Sequence, residues 1–233
     1  MTVYLIIGII LFVLLLMLFT SRYRIKKLYE KQMQIGNNQG ITGAQVAVFV
    51  KNKYNLNITL NRTKTDLADA YYPKKHVLIM SDRVCDTPSI ASVAIVSHEL
   101  GHALQHKEKY WLFRLNNVLT YITNITNRLI IPLIIVGLVL YTIKVPNESL
   151  GLILVIVAGG LFLMHAILKL LTIPLEFNAS RRAINIIESN NLLNKKELSK
   201  TKRLLNNAGE TYITALFDWI ITPINKLHRK ITK

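Results

Sequence analysis

A chain of 233 residues with 29 Lys+Arg against 13 Asp+Glu carries a formal net charge of +16. That charge calls for an anionic neighbour, either nucleic acid or a membrane surface. A hydrophobic share of 51% favours the membrane, and the Lys/Arg clusters carry no nucleic-acid-binding motif, so nucleic acid is excluded as a partner. Cys85 is the one cysteine, which rules out an intrachain disulfide, and "RVCDTP" holds no thiolate-activating motif.

The opening "MTVYLIIGIILFVLLLMLFT" is long and apolar enough to span a bilayer. It has no Lys or Arg before Arg22 and no small-residue cleavage pattern, so residues 1–21 read as an uncleaved anchor. Arg22, Arg24, Lys26, Lys27 and Lys31 follow at once. The positive-inside bias then puts the amino terminus outside and residue 22 onward in the cytoplasm.

Residues 41–128 form the main polar-faced block, within a domain that runs over 22–128. "ITGAQVAVFVKNKYN" reads as a short helix with Thr42 as N-cap. Leu56–Leu60 and His76–Met80 ("HVLIM") read as strands, and the polar stretch between them as a loop. "TPSIASVAIVSHELGHALQHKEKYW" reads as one helix, with Thr87 as cap and Pro88 at its first position. Ile90, Val93, Ala94 and Val96 make it a core helix, on which ionisable His98, Glu99 and His102 are costly unless something satisfies them.

Zinc would satisfy them. Residues four apart on a helix share one face, so the imidazoles of His98 and His102 reach one ion. Glu99 then lies beside the ion without binding it, free to take a proton from a water. His106 lies about 12 Å along the axis from His98, at 1.5 Å per residue, too far for a shared ion with Zn–N bonds of about 2 Å. It is left as a supporting or surface residue. A catalytic zinc takes three protein ligands and a water, so a third ligand must come from elsewhere.

Two apolar stretches follow, Leu129–Ile143 and Leu150–Leu171, joined by the short link "KVPNES". With Arg128 before them and Arg181 and Arg182 after, residues 129–172 read as a transmembrane hairpin with both flanks in the cytoplasm. His165, inside the second stretch, reads as a histidine hydrogen-bonded within the bundle. Two crossings return the chain to its starting side, so Glu176 in "LTIPLEFNASRRA" is the candidate third ligand. Residues 173–233 form the C-terminal helical part that carries it. "YITALFDWIITPI" in this part is short and interrupted by Asp218 and Pro223, and reads as an interfacial helix.

The stretches "DAYYP", "SIASVAIVSHELGHALQH" and "PLEFNASRRA" resemble the bacterial membrane-bound neutral zinc metallopeptidases of the YugP type, over nearly the whole chain. The resemblance implies an α+β, mainly helical fold. It comprises a zincin-like catalytic domain with a small β-sheet, combined with transmembrane helices. It further implies a gluzincin-like peptidase with one Zn2+ per chain on His98, His102 and Glu176, and Glu99 as catalytic residue. The family pattern has an Asp two residues after this Glu, where Asn178 stands. More distant zinc peptidases of similar layout have one four residues after it, where Ser180 stands. A ligand-orienting carboxylate is thus replaced.

The expected function is peptide-bond hydrolysis at the cytoplasmic face of a multi-pass membrane protein. Its partners are a polypeptide substrate and the lipid bilayer; oligomeric state has no signature in the sequence. Tyr212 is the candidate donor to the developing oxyanion, with Tyr71, Tyr72 and Arg181 behind it. The substrate is expected along "HVLIM" as an exposed edge strand. The alternative is a catalytically inactive zinc-binding membrane scaffold or adaptor.

Overall fold

The computed structural model describes residue 27 and residues 29–143 and 148–206. The anchor at 1–21, Tyr212 and the stretch from 212 to 224 lie outside the described residues. The fold is mainly helical, with one small mixed sheet and two long apolar helices. It divides into two units. One takes in the described residues up to Tyr110 and resumes at Leu175; the other covers Trp111–Pro174.

In the first unit, helix α1 spans Gly43–Lys53 and begins where expected. The Thr42 hydroxyl accepts from the Gln45 amide, and the Gln45 side chain accepts from the Thr42 amide at 2.9 Å, a reciprocal capping box. Three strands follow: β1 at Thr59–Thr63, β2 at Ala70–Tyr72 and β3 at Val77–Ser81. Their order is β1-β3-β2, with β3 parallel to β1 and antiparallel to β2.

Three expectations are corrected here. The first strand starts at Thr59 rather than Leu56, because the amides of Leu56 and Ile58 bond back to the carbonyls of Lys51 and Leu56, and the ladder to β3 begins at Thr59. The stretch read as a loop contains β2, whose three residues are too short to show a period of two. The "HVLIM" strand is the central one, paired on both sides, so it offers no free edge to a substrate.

A short helix, α2 (Asp82–Asp86), leads to α3 at Ile90–Lys107. The cap of α3 is Ser89, not Thr87: the Ser89 hydroxyl accepts from the Ser92 amide at 3.0 Å, while Thr87 closes α2. The helix stops at Lys107, and Lys109 takes a positive φ just beyond it. Ile90, Val93, Ala94, Val96 and Leu100 are fully buried, as its apolar sequence demands.

After the second unit the chain returns as α6 (Ile173–Ser189) and α7 (Lys195–Asn206). Helix α6 buries Leu175, Ala179, Ser180, Ala183, Ile186 and Ile187. It passes α3 at backbone distance: a Cβ on Gly101 would stand 2.6 Å from the Ala179 carbonyl oxygen. Ala94, Ala183 and Leu205 share a buried cluster that ties α3, α6 and α7 together.

The second unit is a helical hairpin of α4 (Trp111–Ile143) and α5 (Glu148–Leu170). Both are long and apolar enough, by length and composition, to cross a membrane. Helix α4 has 33 residues, about 50 Å at 1.5 Å per residue, against about 30 Å of hydrocarbon core. The two helices pack closely where Gly137 faces Gly151: a Cβ on Gly151 would lie 2.6 Å from the Gly137 carbonyl oxygen. His165 is fully buried, with the Thr123 backbone beside its ring. Thr123 and Thr126 turn their hydroxyls back onto carbonyls of their own helix.

Gly101→Ala forces its new methyl against backbone that cannot rotate away. We expect a loss of about 1–3 kcal/mol, the usual cost of overpacking, read by denaturant melting of the purified protein in detergent.

Candidate metal centre

Three donors converge between α3 and α6. The Nε2 atoms of His98 and His102 lie 3.2 and 3.3 Å from Oε2 of Glu176. One donor atom from each residue falls within 4.8 Å of the other two. All three side chains are partly exposed, so the cluster is reachable from solvent. The two rings stand edge to face with centroids 4.9 Å apart, as one turn of helix dictates.

The far side of each ring is also held. The His102 Nδ1–H donates to Oε1 of Gln105 at 2.9 Å, and His98 Nδ1 meets the Ser180 hydroxyl at 3.3 Å. With Nδ1 occupied, each Nε2 faces the common point, the arrangement that a metal-ligating histidine needs. Two imidazole nitrogens and one carboxylate oxygen are a donor set suited to zinc, and three protein donors leave a coordination position open. The residues present therefore fit the ion.

The charges agree with this arrangement. Burial alone would push the His102 pKa down. The Glu176 carboxylate, with Glu99 behind it and the Gln105 bond, reverses this and holds the imidazole up at about 9. Burial would raise Glu176, but His102 and His98 outweigh it and hold the carboxyl far below the usual carboxylate range.

Glu99 stands beside the cluster and is not one of its three donors. Its Oε2 accepts the backbone N–H of Tyr71 on β2 at 2.8 Å. Burial pushes its pKa up, with His102, His98 and the Tyr71 amide pulling the other way. His106, as the helix rise requires, is outside the cluster: its Nδ1 meets the Tyr71 hydroxyl at 2.8 Å, and its ring stacks on His76. Burial drives the Tyr71 hydroxyl up to about 12. Among the other candidate donors, Tyr72 and Arg181 are exposed, and Tyr212 lies outside the described residues.

Reading the sequence missed Gln105 and Ser180 as partners of the two histidines. Gln105 follows His102 by three residues on the same helix face, a spacing that puts the pair in contact. Nothing in sequence spacing points from Ser180 to His98, which belong to different helices. Asn178, at the position of the missing carboxylate, reaches Gln105 and Arg182. Its Oδ1 accepts from Gln105 at 3.0 Å and from Arg182 at 2.8 Å.

The model of the family described as "Putative neutral zinc metallopeptidase" matches residues 5–229, and the chain belongs to that family. A curated relative from Bacillus subtilis (strain 168), "Putative membrane protease YugP", is 29% identical over 198 residues, covering 84% of each chain. No solved structure matches the chain.

Tyr71→Phe removes one hydrogen bond between β2 and α3 while keeping the ring. We expect about 1 kcal/mol of lost stability, read by thermal melting, with the zinc content of the purified protein unchanged.

Proposed function

We propose that this member of the neutral zinc metallopeptidase family is a membrane-bound endopeptidase. His98, His102 and Glu176 hold one zinc ion per chain, and Glu99 is the general base. The observation that carries this reading is the convergence of three donors from two helices, with Glu99 beside them and outside the set. A zinc ion held there would polarise the scissile carbonyl and lower the pKa of a water.

Glu99 takes the proton of the attacking water at Oε1, while the Tyr71 amide holds Oε2 and fixes the carboxylate plane. Glu99 then gives the proton to the leaving amine. The partly exposed faces of His98 and His102 leave the substrate carbonyl a route to the site. Tyr212 remains our proposed donor to the oxyanion.

In this reading residues 1–21 anchor the chain and 129–172 cross the membrane and return. Residues 22–128 and 173–233 together build the catalytic part at the cytoplasmic face. The rival scaffold would need a structural site with four protein ligands. Among the described residues three donors converge, which favours catalysis.

The test compares Glu99→Gln with His98→Ala, His102→Ala and Glu176→Ala in detergent, by zinc per chain and by cleavage of an unfolded protein. We expect Glu99→Gln to keep its zinc and lose about 10²–10⁴-fold in cleavage rate, the usual worth of a general acid–base. The three alanine variants should lose zinc and cleavage together. Wild-type cleavage by Glu99→Gln would remove the base from the mechanism, and a wild type that takes up no zinc would remove the site.

A further inference from the structure

Behind the metal centre lies a chain of hydrogen bonds that ends on a histidine. Gln105 is fully buried, and its amide is committed on both sides. Its Nε2 donates to the Leu175 carbonyl at 2.9 Å and to Oδ1 of Asn178 at 3.0 Å. Asn178 Oδ1 also accepts the Arg182 Nε–H at 2.8 Å, and Arg182 pairs with Glu108 at 2.7 Å.

Each link has only one sense. Arg182 has no acceptor, so Asn178 must turn its oxygen toward it. That oxygen then selects the NH2 of Gln105, as does the Leu175 carbonyl. A flipped Gln105 would set its oxygen against two other oxygens. Oε1 of Gln105 is therefore the atom left to face His102 at 2.9 Å, and it can only accept. His102 must carry a hydrogen on Nδ1, which leaves Nε2, 3.3 Å from Glu176, as the nitrogen that would bind a metal ion.

We propose that Gln105, locked by Asn178 and Arg182, is the positioning residue that sets the tautomer and ring orientation of His102 for metal binding. A neutral amide pair here does the work that a carboxylate does elsewhere. It orients the ring without adding negative charge next to Glu176 and Glu99. The departure at Asn178 is thus part of a working arrangement in which the polarity of the relay originates at Arg182. This proposal rests on His98, His102 and Glu176 being the zinc ligands.

The experiment measures zinc affinity by competition with a chromophoric chelator, and the visible absorption of the cobalt-loaded protein. It uses the full-length chain in detergent. Loss of an outer partner of a metal-bound histidine typically weakens metal binding about 10–100-fold. We expect that loss for Gln105→Met, with a shifted cobalt band. Asn178→Ala, which removes one of the two acceptors that hold the Gln105 amide and cuts its tie to Arg182, should also weaken zinc, by less than Gln105→Met does. Asn178→Asp keeps both acceptor bonds and should restore the wild-type affinity and band. Should Gln105→Met fail to fold, the Asn178 pair decides alone: a weakened alanine variant beside an intact aspartate variant supports the proposal. Wild-type affinity and an unshifted band in Asn178→Ala, and in Gln105→Met if it folds, overturn it. Failure of the site itself is distinguishable, because the wild type and His102→Ala would then bind zinc equally, or neither would bind it.

Discussion

The structure depends on how closely α6 approaches α3. Glu176 can lie 3.2 and 3.3 Å from the two histidines only if the helices cross nearly backbone to backbone. Gly101 sits between His98 and His102 and meets the Ala179 backbone; Ala94 and Ala183 continue the same narrow seam. Larger side chains there would push the carboxylate out of reach of either ring. The small residues thus act in the site without touching its chemistry. They also bring three ionisable groups onto an otherwise apolar surface, which is costly unless the groups satisfy one another. They do so: the carboxyl of Glu176 is held well down and the imidazole of His102 well up, each by the other.

The same economy holds β2 in place. A strand of three residues has little pairing energy of its own, and its ladder to β3 covers only Ala70, Tyr71 and Tyr72. Tyr71 adds two further ties to α3, one from its amide to Glu99 and one from its hydroxyl to His106. Glu99 and His106 are seven residues apart, which on a helix is two turns along one face. The strand is therefore laid along the helix by a single residue, and that residue also steadies the carboxylate beside the metal centre. His106 has a purpose after all, one that its spacing from His98 could exclude but not supply.

Much of this was legible in the sequence, for reasons that separate local from tertiary information. The spacing of His98, Glu99 and His102 is a property of one helix, so it could be read directly. The Thr42 cap could be read too, since a capping box spans four consecutive residues. Glu176 was reachable by topology, because an out-and-back hairpin returns the chain to the side it left. What could not be read depends on contacts across elements. Ser89 displaces Thr87 as the cap of α3 because its hydroxyl also bonds Ser92 and faces Met33 inside the core. β3 becomes central only because a strand too short to recognise pairs with it. Gln105 looks like an ordinary polar residue near a helix end until α6 arrives with Leu175 and Asn178 to take its amide.

The order of these elements along the chain constrains the membrane topology further. The two helices that carry the donor cluster are separated in sequence by α4 and α5, yet Gln105 on α3 donates directly to the Leu175 carbonyl on α6 at 2.9 Å. Both ends of the intervening segment must then lie on the same side of any membrane it enters. Two apolar helices satisfy this condition, and a single crossing would not. The exit from the hairpin is also abrupt. Only Leu171 and Thr172 separate α5 from α6, and Glu176 lies in the first turn of α6. There the helix dipole favours a carboxylate, and Pro174 costs nothing because its missing N–H has no partner in a first turn. The third donor therefore follows the hairpin in sequence with almost no loop between the two helices.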